Sequence, residues 1–263
     1  MKKIFLLLMM AVLLVTGCSG EKNSAPLNNQ KIIIGVDDEF PPICFHDDKN
    51  NLTGFDVDLA KEVAKRMCVE LEFKPISWDK KREELTSGKI DIIWNGLDIT
   101  PERKEYMIFT RPYMDDRQIL LVRENNDQNI NSEGDLEGKV VGVQAGSTAD
   151  EYLNQDENLK SSLKECKTYE KFTELTDALK NGEIGVIICD ELVGRYETTQ
   201  YPDQFEIVDI RIGNVAEMAV GFRKDDTELR DKVQDVFDEM IKDGTAKEIS
   251  EKWFNADLIR IPR

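Results

Sequence analysis

From residue 31 onward the apolar positions alternate between two patterns. Ile32-Ile33-Ile34-Gly35-Val36 is a continuous apolar run, as expected of a strand covered on both faces. Val57, Ala60, Val63, Ala64 and Met67 then recur at helical spacing along one face. Strand Leu71–Lys74, helix Lys80–Ser87 and strand Ile90–Trp94 follow, with Gly88 as the stop signal between the last two. That is a βαβαβ unit. After an acidic, Asn-rich connector, 124–137, the order repeats: strand Lys139–Val143, helix Thr148–Asn154, a strand near Glu165–Thr168, helix Lys171–Asn181 and strand Ile184–Cys189. Leu229, Val233, Val236, Phe237 and Met240 mark one face of a helix over 226–243, and a second C-terminal helix spans 245–253. Two similar α/β lobes are expected.

The first thirty residues read differently. Lys2-Lys3 precede an apolar run from Ile4 to Val15, shorter than the roughly 20 residues that a membrane-spanning helix needs. A charged start, a short apolar run and small residues together predict a signal peptide over 1–17. Val15-Thr16-Gly17-Cys18 resembles the lipobox of bacterial lipoproteins, which implies cleavage before Cys18 and its lipidation. Residues 19–30, rich in Ser, Gly, Asn and Pro, are expected to serve as a flexible tether.

Composition narrows the chemistry. The chain has 263 residues, a net charge of −17, 40% apolar residues and a single histidine. A field this negative repels phosphate backbones, and no Lys/Arg stripe interleaved with aromatics reverses it locally, so nucleic acid is excluded as a partner. One histidine, His46, read as a loop residue in His46-Asp47-Asp48-Lys49-Asn50, makes a His-rich metal site or His-based acid–base catalysis hard to assemble. Cys44, Cys68, Cys166 and Cys189 show no Cys-x-x-Cys spacing. In an exported chain their even number leaves disulfides and buried thiols both open. No metal and no cofactor are expected.

Three positions carry chemistry. Thr100-Pro101-Glu102-Arg103 reads as a helix start with Thr as N-cap and Pro at the first helical position, which puts Arg103 in the first turn. A cation there opposes the helix dipole, and a local rule broken at a strand's C-terminal edge points to function. The guanidinium fork matches a carboxylate; the plainer alternative is pairing with Glu102 or Glu105. Gly146-Ser147-Thr148-Ala149-Asp150 fits a capping box between Ser147 and Asp150, and free N–H groups at such a turn form an anion site. Asp190 ends the strand Ile184–Cys189 on the ligand-facing edge, where it either holds an ammonium or caps the helix Glu191–Thr198. Arg103 and Thr148 for a carboxylate, with Asp190 for an ammonium, describe a receptor for an α-amino acid.

These features sit among segments that resemble the bacterial extracellular solute-binding proteins of the polar amino acid type, family 3. The segments are 34–42 (IGVDDEFPP), 54–60 (GFDVDLA), 99–104 (ITPERK), 111–113 (RPY), 141–148 (VGVQAGST) and 243–246 (DGTA). The resemblance implies a type II, Venus-flytrap fold of the periplasmic binding proteins, with the ligand in a cleft between two lobes. Lobe 1 would comprise 31–114 plus 216–263 and lobe 2 would comprise 116–212, with a hinge near 115 and 213–215. Carried over position by position, Arg103 is the carboxylate-binding arginine, Thr148 beside Ser147 the second-lobe donor, and Asp190 the ammonium-binding acid. Asp37, Phe40 and Trp78 match pocket-lining positions, with Phe40 and Trp78 sandwiching the ligand.

In Asn95-Gly96-Leu97-Asp98, Gly96 falls at a ligand-binding position and Asp98 stands where relatives usually carry Ser or Thr. With Asp37 and Asp98 near the cleft, an anionic side chain would meet like charge. The expected ligand is therefore a cationic or neutral polar amino acid such as arginine, lysine, cystine or glutamine. The resemblance further implies a monomer, lipid-anchored at the outer face of the cytoplasmic membrane or in the periplasm, that delivers its ligand to the permease subunits of an ABC importer. The chain itself is expected not to be an enzyme; it has no Gly-x-x-x-x-Gly-Lys-[Ser/Thr] loop. Two alternatives stand beside this reading: an enzyme on the same fold, such as a dehydratase of aromatic precursors, and a sensory or adhesive amino-acid-binding lipoprotein.

Overall fold

The computed structural model describes residues 31–126 and 128–260. The expected signal peptide, Cys18 and the tether lie outside the described residues. The chain begins with β1 (Lys31–Val36), the small strands β2 (Glu39–Phe40), β3 (Cys44–His46) and β4 (Leu52–Thr53), and α1 (Phe55–Met67). It continues through β5 (Glu70–Pro75), α2 (Lys81–Thr86), β6 (Ile92–Ile93), α3 (Pro101–Tyr106) and β7 (Met107–Phe109). The long strand β8 (Met114–Arg123) leads into β9 (Val140–Gln144), α4 (Thr148–Gln155), α5 (Glu157–Ser162), β10 (Glu165–Tyr169), α6 (Phe172–Lys180), β11 (Val186–Asp190) and α7 (Glu191–Gln200). A second long strand, β12 (Phe205–Met218), returns the chain to β13 (Gly221–Arg223), α8 (Thr227–Asp243) and α9 (Thr245–Phe254).

Two five-stranded sheets result, ordered β5-β1-β6-β13-β7 and β10-β9-β11-β8-β12, with β2-β3-β4 as a small third sheet. In each large sheet the central strands are buried on both faces, which is why β1 and β11 read as unbroken apolar runs. The two sheets are joined by β8 and β12, which pair antiparallel from Met114↔Met218 at one end to Phe205↔Arg123 at the other. Register shifts interrupt this ladder between Val208 and Ile212 and between Ile212 and Ala216. The fold is therefore a two-lobed α/β architecture with paired strands running between the lobes.

Helix ends follow their local chemistry. The Thr100 hydroxyl accepts from the Arg103 amide at 3.2 Å, and Ser147 does the same for Asp150. Gly54, which precedes α1, has φ +139°, and a Cβ there would lie 2.2 Å from the Ile43 carbonyl oxygen, so only glycine fits. Two details differ from the sequence reading, and a third answers a point it left open. β6 shrinks to Ile92–Ile93, because Ile90 and Trp94 are buried by packing without joining the ladder. His46 is not a loop residue; it ends β3, where its Nε2 lies 3.1 Å from an Asp38 carboxylate oxygen. Cys44, Cys68, Cys166 and Cys189 are all free thiols.

Candidate functional site

The site forms where the C-terminal ends of β1, β6, β9 and β11 face each other across the gap between sheets, the usual ligand edge of an open α/β sheet. Arg103, on α3, is 1% exposed although it carries a full charge. Its Nε donates to Glu151 Oε1 at 3.0 Å, its Nη1 to the Asp98 carbonyl at 3.0 Å and its Nη2 to the Gly146 carbonyl at 3.3 Å. The alternative partners Glu102 and Glu105 are thus set aside; the pairing acid lies on α4 of the other lobe. Lys81 joins the same contact. Its buried ammonium donates to the Gly146 carbonyl at 2.6 Å and sits 5.2 Å from the Trp78 ring centroid. Burial, followed by the neighbouring Arg103 charge, pushes the Lys81 pKa down to about 7.

Opposite Arg103, the start of α4 presents Ser147 and Thr148. The expected capping box closes one residue early, because Asp150 accepts from the Gly146 amide at 2.8 Å. The Thr148 hydroxyl donates across the cleft to Asp98 Oδ2 at 2.7 Å. Asp190 occupies the N-cap position of α7 but makes no capping bond, so capping does not account for it. Its Oδ1 instead accepts from Gln118 Nε2 at 2.5 Å, and burial raises its pKa to about 7.

The remaining walls are held from behind. Asp56 accepts from the Gly96 amide at 2.6 Å and from the Tyr113 hydroxyl at 2.9 Å, which fixes the loop after β6. Asp37 accepts from the Glu39 amide at 3.0 Å and, across the cleft, from Gln144 Nε2 at 2.5 Å. The Phe40 ring meets Phe172 edge-on, centroids 5.6 Å apart. Phe40 is thus packed against the other lobe and Trp78 lies against Lys81, and both line the cavity.

These groups line a small cavity of about 20 Å³ between the closed lobes. The structure brings Arg103, Asp190, Thr148, Ser147, Gly96, Asp37, Phe40 and Trp78 to its walls. Asp98 lies just behind the lining, buried. Sequence reading missed Gln118, Gln144, Phe172 and Cys189, which also line it. Gln144 follows an apolar strand, so an isolated amide at its end was the available signal; Gln118 comes after Asp115-Asp116-Arg117 and offered none. The lobes are closed: Lys171 pairs with Glu39 at 2.9 Å and Ser77 donates to Glu170, both across the cleft, in addition to the contacts already described.

Two lobes on paired crossing strands, shut over a cavity with a buried cation on one side and buried acids on the other, define a ligand-trapping binding protein. The chain belongs to the bacterial extracellular solute-binding proteins, family 3, whose model matches residues 32–256. It is 34% identical over 257 residues to the L-cystine-binding protein TcyJ of Escherichia coli, covering 95% of each chain. Among solved structures it is similar to a Streptococcus pneumoniae ABC uptake transporter substrate-binding protein with bound histidine, with TM-score 0.81, 34% identity and coverage of 88% of this chain and 95% of that one. A Thermotoga maritima arginine-binding protein matches with TM-score 0.80, 34% identity and coverage of 86% and 95%.

Proposed function

We propose that this chain captures an L-α-amino acid, cationic or neutral polar, and delivers it to the permease subunits of an ABC importer from the outer side of the membrane. The observation that carries the reading is the opposition of buried Arg103 to half-buried Asp190 on the walls of one cavity. A carboxylate pairs with the guanidinium, an ammonium with the aspartate, and Thr148 and Ser147 add donors at the start of α4. Asp37, Gly96, Phe40 and Trp78 shape the side-chain space, and Asp37 with Asp98 disfavours an anionic side chain. The cystine-, histidine- and arginine-binding relatives support this class of ligand.

Ligand contacts made with both lobes at once favour the closed form over the open one, which is how binding drives closure. Lobe 1 is taken as 31–114 with 216–263 and lobe 2 as 116–212, hinged near 115 and 213–215. The protein acts as a monomer held to the membrane by lipid on Cys18, and it performs no bond chemistry of its own.

The test is a thermal-shift panel of the twenty amino acids and cystine. A ligand that binds only the folded state at about 100 times its Kd adds about 2.7 kcal/mol of stability. For a chain of this size that is a rise of roughly 5–10 °C. One or two cationic or neutral polar amino acids should give it. A larger shift with glutamate than with any of these, or no shift at all, overturns the proposal.

A further inference from the structure

Three aspartates meet at the closed cleft from different directions. Asp98 comes from the loop after β6, Asp116 from β8 and Asp190 from the end of β11, and their carboxylate oxygens lie within 4.8 Å of one another. Among the described residues this is the one grouping of three such side chains so closely spaced. Their hydrogen-bond donors are neutral. Thr148 Oγ1 serves Asp98 Oδ2, and Gln118 Nε2 is shared between Asp116 Oδ2 at 3.1 Å and Asp190 Oδ1 at 2.5 Å.

The charged groups facing the trio bring little relief. Glu151 and Glu191 add negative charge, and Arg103, the cation beside Asp98 and Asp190, is already paired with Glu151. Three acceptors in this cluster have no donor: Asp98 Oδ1, Asp116 Oδ1 and Gln118 Oε1. Gln118 is itself only 3% exposed and lines the cavity. Unmatched buried acceptors beside three acids call for a positively charged donor.

We propose that Asp98, Asp116 and Asp190 form a proton-exchange site: with no ligand the closed cleft keeps one proton shared among the three carboxylates, and the ligand's ammonium replaces it. Like charges this close and this buried cannot all ionise together. An ammonium brings three N–H donors to a site with three unserved acceptors. The exchange is electroneutral, since the site gains one positive charge with the ammonium and releases one proton to solvent. Burial raises the pKa of all three acids, with Asp190 at about 7. The ligand half of this inference rests on the amino-acid reading above; the proton half does not.

The test uses the purified full chain at pH 6.5. Calorimetry with L-arginine in two buffers of different ionisation enthalpy should show close to one proton released per ligand bound. Affinity should tighten by up to roughly tenfold per pH unit on approaching pH 7 from below. Asp116→Asn should cut the number of protons released by about half or more, because the remaining two acids repel less strongly. Binding with no proton release in the wild type overturns the proposal.

Infrared spectroscopy of the ligand-free chain supplies the arm that needs no ligand. A protonated-carboxyl band should be present in the wild type and reduced in D116N. Asp56 and Glu197, also raised to about 7, absorb in the same region, so the difference between the two spectra carries the assignment. If arginine gives no heat, that ligand fails as a candidate, yet a band lost in D116N still supports the proton site. Identical spectra overturn it.

Discussion

At the scale of single residues, the informative side chains are the ones that contradict their local setting. Arg103 opposes its own helix dipole, and the structure shows why: its guanidinium serves groups across the cleft rather than its own helix. Arg103→Ala should weaken amino-acid binding by well over tenfold, since removing one partner of a buried charge pair costs about 2–5 kcal/mol. Calorimetry on the variant checks this, and wild-type affinity would exclude Arg103 from the site. Glu151→Gln removes the carboxylate that ties Arg103 to the other lobe, so the ligand-free variant should sample the open form more. Small-angle scattering should then report a larger radius of gyration; an unchanged radius would mean that the pair does not hold the lobes together. Arg103 and Asp190 were legible in the sequence because each is a charge at an element end. Asp116 and Gln118 were not, because in Met114-Asp115-Asp116-Arg117-Gln118 polar residues fill both faces of the strand. A period-two pattern with no apolar face does not say which side is buried.

At the scale of elements, the helices were read more faithfully than the strands. Caps such as Thr100-Pro101 and Ser147 have local chemistry that sequence displays directly. β12 mixes acids, isoleucines and a glycine over fourteen residues that are mostly half-buried or exposed, so no apolar periodicity announces it. Its pairing with β8 is a long-range event. The turn before α4 supports a sharper prediction. Gly146 has φ +70°, and a Cβ there would lie 2.8 Å from the Asp79 Cα on the other lobe. Gly146→Ala therefore strains the turn and wedges the cleft at once. Ligand affinity should fall by roughly tenfold or more, while the ligand-free chain loses only about 1 kcal/mol from the turn itself. Equal affinity in the variant would show that the two lobes do not close this tightly around ligand.

At the scale of the whole molecule, closure gathers charge that the solvent would otherwise dilute. Burial raises the pKa of Asp37, Asp98 and Asp116, and takes Asp56, Asp190 and Glu197 to about 7. A carboxyl whose folded pKa exceeds its unfolded value of about 4 stabilises the fold fully below that value. The contribution is lost as pH rises through about 7. The opposite holds for Glu191, which the Arg117 bond holds at about 2, so its contribution fades only in stronger acid. The ligand-free protein should therefore melt several degrees higher at pH 5 than at pH 8, then lose stability below about pH 4. A melting temperature that rises steadily from pH 5 to pH 8 would contradict these assignments.

The closed cleft has a consequence in time rather than in energy. An occupant held by Phe40, Phe172, Trp78 and the interlobe hydrogen bonds is gripped from both lobes while they are shut. Its escape is therefore tied to the swing of the two lobes about the paired strands β8 and β12, however weak its own contacts become. Any partner that grips both lobes and pries them apart sets the tempo of release for every cargo alike.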